Sequence, residues 1–123
     1  MIFDTGALIG FERGKHKVAA LVAVALAART PIVVPSVVIA EAWRGGRRSA
    51  KMAMLLSGCR IEPLHEGVAK KAGEAMAAIR GATTIDAIVV AHAHALKVPL
   101  VTSDAKDMRA LATHFGGVHI VEV

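Results

Sequence analysis

The stretch Thr83-Thr-Ile-Asp86-Ala-Ile-Val-Val-Ala91-His-Ala-His-Ala-Leu-Lys97-Val-Pro99-Leu-Val-Thr102-Ser-Asp104-Ala-Lys-Asp107 decides the fold. Thr83-Thr84 opens a helix that runs to about Lys97. Thr83 with Asp86 three residues on is a capping box with Asp at the place of the usual Glu or Gln. Pro99 to Thr102 then reads as a short apolar strand, and Asp104 to about His114 as a further helix.

Outward from this stretch the same alternation continues. Met1 to Asp4 reads as a first strand, with Thr5-Gly6 as a turn into a helical stretch. Lys17 to Ala28 is rich in Ala, Leu and Val and reads as a mostly buried helix, in the core or part of a dimer face. Pro31 to Pro35 is a β-branched second strand closed at both ends by proline. Ser36 is placed to cap a helix from Val37 towards Arg44, which loosens at Gly45-Gly46. A helix follows around Arg48 to Leu56, then a weaker strand from Cys59 to Leu64 whose proline suggests a sheet edge. A helix from about Glu66 to Ile79 ends at Arg80-Gly81, and Val118 to Val123 is a last strand. Strands alternating with helices imply an α/β class fold, a parallel sheet covered on both faces. With no repeat, linker or low-complexity segment, residues 1–123 read as one domain.

The composition limits the function classes. The chain is 54% hydrophobic, enough for a core without covalent staples. The single Cys59 excludes an internal disulfide and fits a reducing compartment. The longest apolar run, Val18 to Ala28, is well short of the ~20 residues that span a bilayer, so a cytoplasmic protein without a membrane partner is expected. Fifteen Lys and Arg against ten Asp and Glu give a net charge of +5, which favours a polyanionic partner. Phe3, Phe11, Trp43 and Phe115 are the only aromatic residues of the Phe, Trp and Tyr set, so a base-stacking platform is not expected.

Against that basic background, Asp4, Glu41, Asp86 and Asp104 each lie where an apolar run meets a turn or helix start. In parallel sheets, ligands collect beyond the carboxyl ends of the strands at the switch point. Asp4 closes the first strand and Asp104 follows the fourth. Asp86 and Glu41 lie near the starts of helices at the same edge. Carboxylates gathered there repel one another unless a divalent cation neutralises them. Mg²⁺ and Mn²⁺ are hard ions that take oxygen ligands, polarise phosphodiesters and make water a better nucleophile. Each acid also has a plainer role: Asp86 and Asp104 as helix-start residues favoured by the dipole, and Glu41 as a solvated helix residue, although Val37 to Ala40 before it suggest a largely buried surround. Asp4, a charge ending an apolar strand, is the hardest to explain that way. Asp107 either joins the site or decorates its helix.

Four segments together resemble the PIN domain, specifically the VapC toxins of bacterial VapBC pairs. They are Met1-Ile-Phe-Asp-Thr-Gly-Ala-Leu8, Val34-Pro-Ser-Val-Val-Ile-Ala-Glu41, Thr84-Ile-Asp-Ala-Ile-Val-Val-Ala91 and Leu100-Val-Thr-Ser-Asp-Ala-Lys-Asp107. The resemblance implies a three-layer α/β/α sandwich with a five-stranded parallel sheet of order 3-2-1-4-5. It also implies Mg²⁺- or Mn²⁺-dependent endoribonuclease activity on RNA. It assigns Asp4, Glu41, Asp86 and Asp104 to catalysis and metal binding, with either Asp104 or Asp107 completing the set. Thr5 and Thr102 fall where relatives carry small hydroxyl residues that orient the acids or a water. A homodimer and a VapB-type antitoxin, whose C-terminal segment covers the site, are implied as well.

Arg44, Arg47, Arg48 and Lys51 form the densest basic group and are candidates for holding RNA phosphates, or else a solvated helix end. Arg13, Lys15, His16 and Lys17 are a second candidate strip, for which the solvated reading is favoured. Trp43 is assigned to packing or an interface and Cys59 to the core. His92 and His94, two apart on a helix, point to different faces and form no zinc pair. The alternatives are a haloacid-dehalogenase-like phosphatase, a response-regulator-like module, and an inactive PIN fold that binds RNA or protein. The dehalogenase pattern wants a second Asp two residues after Asp4, where this chain has Gly6.

Overall fold

The computed structural model describes residues 1–123. Five strands are present: β1 (Ile2–Phe3), β2 (Val33–Pro35), β3 (Arg60–Glu62), β4 (Leu100–Thr102) and β5 (Ile120–Glu122). Seven helices alternate with them: α1 (Thr5–Glu12), α2 (His16–Ala27), α3 (Ser36–Ala42), α4 (Ala50–Ser57), α5 (Glu66–Ala78), α6 (Thr84–Leu96) and α7 (Ala105–His114). All pairings are parallel and the order is β3-β2-β1-β4-β5, as expected of an α/β/α sandwich. The residues of β1, β2 and β4 are fully buried, which explains why their sequences are apolar or proline-ended runs without polar alternation. Ile2 pairs with both Val33 and Leu100, so β1 is central and the chain order reverses beside it. That reversal is the switch point where such sheets hold ligands.

The core is one cluster built around Ile2, Phe3, Leu8, Val34, Val38, Met52, Val89, Leu100 and Leu111. α5, α6 and α7 pack on one another, and α1 packs with α2, α3 and α4. β3 is an edge strand, and Pro63 follows it directly.

Several local expectations are corrected. There is no turn at Thr5-Gly6: α1 begins at once, because Asp4 Oδ1 accepts the Ala7 amide at 2.6 Å and caps it. α2 is not mostly buried. Val18, Val22 and Ala25 form one inward stripe, while Val24 and Leu26 are each 63% exposed. The uniformly apolar run hid which face points inward. Ser36 is the first residue of α3 rather than its cap. Pro35 takes the cap position in extended geometry, without a side-chain bond. α3 stops at Ala42, because Trp43 turns extended, and a 3₁₀ turn (Gly46–Ser49) precedes α4. The Gly45-Gly46 segment is pinned rather than loose, since buried Ser49 Oγ accepts the Arg44 and Gly45 amides, both at 3.0 Å. Trp43 is 40% exposed. Cys59 is half-buried rather than in the core, and burial pushes its thiol up to about 11.

Candidate active site

The two-residue strand β1 delivers Asp4 to the carboxyl edge of the sheet. The Asp4 amide donates to the Val101 carbonyl at 3.2 Å, which fixes it beside the end of β4. Asp4 is 5% exposed, yet one of its oxygens is already committed to the Ala7 amide. Thr102 ends β4, and its Oγ1 accepts the Asp104 amide at 2.9 Å, setting the turn into α7. Asp104 caps α7 only weakly, its Oδ1 lying 3.5 Å from the Asp107 amide. Thr83 caps α6 by accepting the Asp86 amide at 3.2 Å. No bond returns from the Asp86 carboxylate to the Thr83 amide, so the capping box is one-sided and that carboxylate is free for other work. Glu41 lies in the last turn of α3, which packs on α1 and α6; it is exposed, not buried as the preceding apolar residues suggested.

These elements bring Asp4, Glu41, Asp86, Asp104 and Asp107 into the wall of one cavity of about 240 Å³. Thr5, Gly6 and Ser103 complete its polar lining, and Ile9, Ile85, Val89 and Met108 its apolar lining. No Lys, Arg or His is among them. Of the five acids elsewhere, four are paired, Glu62 with Arg60, Glu66 with Lys70, Glu74 with Lys71 and Glu122 with Arg109, and Glu12 is not. None of the five cavity acids has a cationic partner, in a chain with a net charge of +5.

The electrostatic consequence falls on the two least exposed acids. Burial pushes the Asp4 carboxyl above its ordinary value, and the charges of Asp86 and Asp104 add to the rise. The Thr102 hydroxyl and the Ala7 amide pull the other way without cancelling it. Burial also raises Asp86, with Glu41, Asp104 and Asp107 contributing and Thr83 opposing. All five acids are therefore linked through Asp4 and Asp86 by repulsion that a cation would relieve.

The lining fits a hard divalent ion. All candidate ligands are oxygens, and Thr5 Oγ1 is buried there without a hydrogen-bond partner. No three of the acids converge tightly enough to enclose a bare ion. Mg²⁺ ordinarily keeps several waters and takes only one or two carboxylates directly, so a spread set of acids suits it.

Thr102 is fully buried beneath the cavity as the support of Asp104 rather than part of the wall. Arg44, Arg47, Arg48 and Lys51 do not line the cavity. The Arg44 guanidinium bonds the Trp43 carbonyl at 2.8 Å, and the Lys51 ammonium lies 5.6 Å from the Phe11 ring centre. Two lining residues, Gly6 and Ser103, carried no sequence signal as site members. A Cβ on Gly6 would overlap Ser103 Oγ and come within 3.2 Å of Ser103 Cβ, so the close approach of α1 to the β4–α7 turn requires glycine there. A glycine just after the first strand's acid was the available clue to that approach.

The family model for the PIN domain matches residues 1–113. A comparison with curated proteins gives no match. Among solved structures, the chain is similar to a toxin–antitoxin complex from Klebsiella pneumoniae, with 22% identity, a TM-score of 0.75, and coverage of 99% of this chain and 98% of that one. It is also similar to VapBC2 from Rickettsia felis bound to a DNA fragment from its promoter, with 17% identity, a TM-score of 0.76, and coverage of 100% and 99%. FitAB bound to a DNA fragment matches at 18% identity and a TM-score of 0.67, covering 99% and 94%. The chain belongs to the PIN domain family.

Proposed function

From this membership we propose that the protein is a Mg²⁺- or Mn²⁺-dependent endoribonuclease and the toxin of a type II toxin–antitoxin pair. The observation that carries the proposal is the gathering of five unpaired carboxylates in one cavity of a basic chain. Asp4 and Asp86, the acids whose pKa is raised, would hold the ion, with Glu41 and Asp104 completing the set and Asp107 the alternative to Asp104. Bound there, the ion would stabilise negative charge on a phosphodiester and make water a better nucleophile. The Ala7 amide fixes the Asp4 carboxylate, the Thr102 hydroxyl fixes the turn that carries Asp104, and the unpartnered Thr5 hydroxyl is available to orient a water. Ile9, Ile85, Val89 and Met108 wall the cavity and limit bulk water around the reacting group.

The PIN membership removes the ground for the dehalogenase-like and response-regulator-like alternatives. Similarity to a toxin–antitoxin complex and to VapBC2 supports a cognate VapB-type antitoxin, and the family resemblance adds to the proposal a homodimer and an antitoxin Arg in the acidic cavity. No helix is long and apolar enough to cross a membrane.

The test is cleavage of RNA by the purified protein. Activity should require Mg²⁺ or Mn²⁺, stop with EDTA and return with Mn²⁺. Asp86→Asn should fold normally by circular dichroism and lose at least about 100-fold in rate, the scale set by removing one charge-stabilising group. Expression of the wild type alone should arrest growth, and the variant should not. Undiminished cleavage by folded Asp86→Asn would overturn the proposal.

A further inference from the structure

The acidic cavity does not end at Asp86 and Asp107. A second cavity of about 290 Å³ shares both residues as wall and extends along the surface between the α5–α6 turn and α7. Its new wall contributes two cations, Arg80 from the turn and Lys106 from the first turn of α7. Both residues have solvent-accessible side chains. Neither comes within ion-pair distance of Asp86 or Asp107, although all four line the same cavity.

Two features keep the cavity open to an anion. Gly81 takes φ +83, and a Cβ there would meet nothing within 4 Å, so no atom of the fold closes over the turn at that residue. The N-termini of α6 and α7 lie at this edge, and their amide dipoles offset part of the charge of Asp86 and Asp107, the first-turn acids that share the wall. The surface thus changes sign over a short path, from a pole suited to a cation to a pole suited to an anion. A nucleic-acid strand presents such a path with a phosphate at the reacting bond and another at the next bond.

We infer that Arg80 and Lys106 hold the phosphodiester adjacent to the one cleaved, so that this groove favours substrates longer than a dinucleotide. The inference rests on the proposed nuclease activity. The ligand is a backbone phosphate, recognised by charge rather than by base or 2′-hydroxyl.

The test uses the full chain carrying Arg80→Gln and Lys106→Gln together, with Arg80→Lys and Lys106→Arg as a charge-preserving pair. On a single-stranded RNA oligonucleotide of about ten nucleotides, the neutral pair should raise KM roughly 10-fold with kcat within about 2-fold. The slope of log(kcat/KM) against log[salt] should fall by about 0.7 for each phosphate that is no longer neutralised. A dinucleotide, which has no neighbouring phosphodiester, should lose less than about 2-fold, and the charge-preserving pair should restore the oligonucleotide KM. Fluorescence anisotropy with RNA and DNA strands of one sequence should show the same loss of affinity for both. An unchanged KM and affinity, or an equal loss on the dinucleotide, would overturn the inference. If the wild type cleaves no RNA with either metal, the nuclease proposal has failed instead, and the anisotropy measurement alone decides whether the groove binds a strand.

Discussion

Replacing Asp4 by Asn isolates the electrostatic cost of the cavity from its structural duties. Asp4 Oδ1 caps α1 through the Ala7 amide at 2.6 Å, and Asn caps helices about as well as Asp, so that bond survives. The buried charge and its repulsion with Asp86 and Asp104 do not. Because the folded pKa of Asp4 lies above its ordinary value of 3.8, the metal-free fold binds a proton more tightly than the unfolded chain does. The associated stability is fully present below about that ordinary value and is lost as pH rises through the raised one. Metal-free Asp4→Asn should therefore melt above the wild type at pH 8, and the gap should close as pH falls towards 4. Asp4→Ala removes the cap as well and should lie about 1 kcal/mol below Asp4→Asn. For a chain of this length that is roughly 3–6 °C, by interpolation between smaller and larger domains. Divalent metal should reverse the order. At 100 times its Kd a metal stabilises the wild type by about 2.7 kcal/mol, or roughly 8–16 °C. A 100-fold loss of affinity on Asp4→Asn reduces that to about 0.4 kcal/mol. Differential scanning fluorimetry with EDTA, Mg²⁺ and Mn²⁺ at several pH values measures all of this. A metal-free Asp4→Asn less stable than the wild type at pH 8, or a metal shift that survives the substitution, would refute the reasoning.

Asp104 acts on both Asp4 and Asp86, whereas Asp107 acts on Asp86 alone, so Asp104→Asn should lower RNA cleavage roughly tenfold more than Asp107→Asn in parallel rate measurements. Gly6→Ala drives a methyl group against Ser103. Overpacking of about 1–3 kcal/mol, offset by about 1 kcal/mol of helix propensity, should leave a loss of at most about 2 kcal/mol in chemical denaturation, relieved by adding Ser103→Gly. Neutralising Arg47 and Arg48, which lie outside the cavity, should weaken RNA binding at low salt and have little effect on kcat; unchanged affinity in anisotropy would remove them from the RNA path. His92 is 1% exposed with Nε2 unpartnered, and burial lowers its pKa against the pull of Glu62, so stability is lost as pH falls from about 6.5 through the lowered value. Thermal melts between pH 7 and 5 should show a steeper decline for the wild type than for His92→Leu.

The strand–helix alternation was legible because buried parallel strands are written as short apolar runs between turn residues, as in Leu100 to Thr102. The acids Asp4, Asp86 and Asp104 stood out because each follows or opens such an element. Glu41 read two ways, as a solvated helix residue or in a buried surround, and it is exposed, because the apolar residues before it face the core through Val38 while Glu41 does not. The Ala-rich α2 failed for a related reason, since a helix apolar on every side carries no marker of its inward face. The side-chain cap at Thr83 was read correctly, whereas the one at Asp4 was hidden behind a supposed turn and the bond-free cap at Pro35 was missed.

By itself the sequence determined the element types, the parallel sheet and the acids at strand and helix ends, because these follow from local periodicity and chain chemistry. Only the tertiary structure decided that Asp107 shares the cavity, that Gly6 must admit Ser103, that the Arg44–Lys51 group lies outside the wall, and that Arg80 and Lys106 adjoin it. Those facts depend on where helices far apart in sequence come to rest against β1 and β4. Packing sets those positions, and no local pattern encodes them.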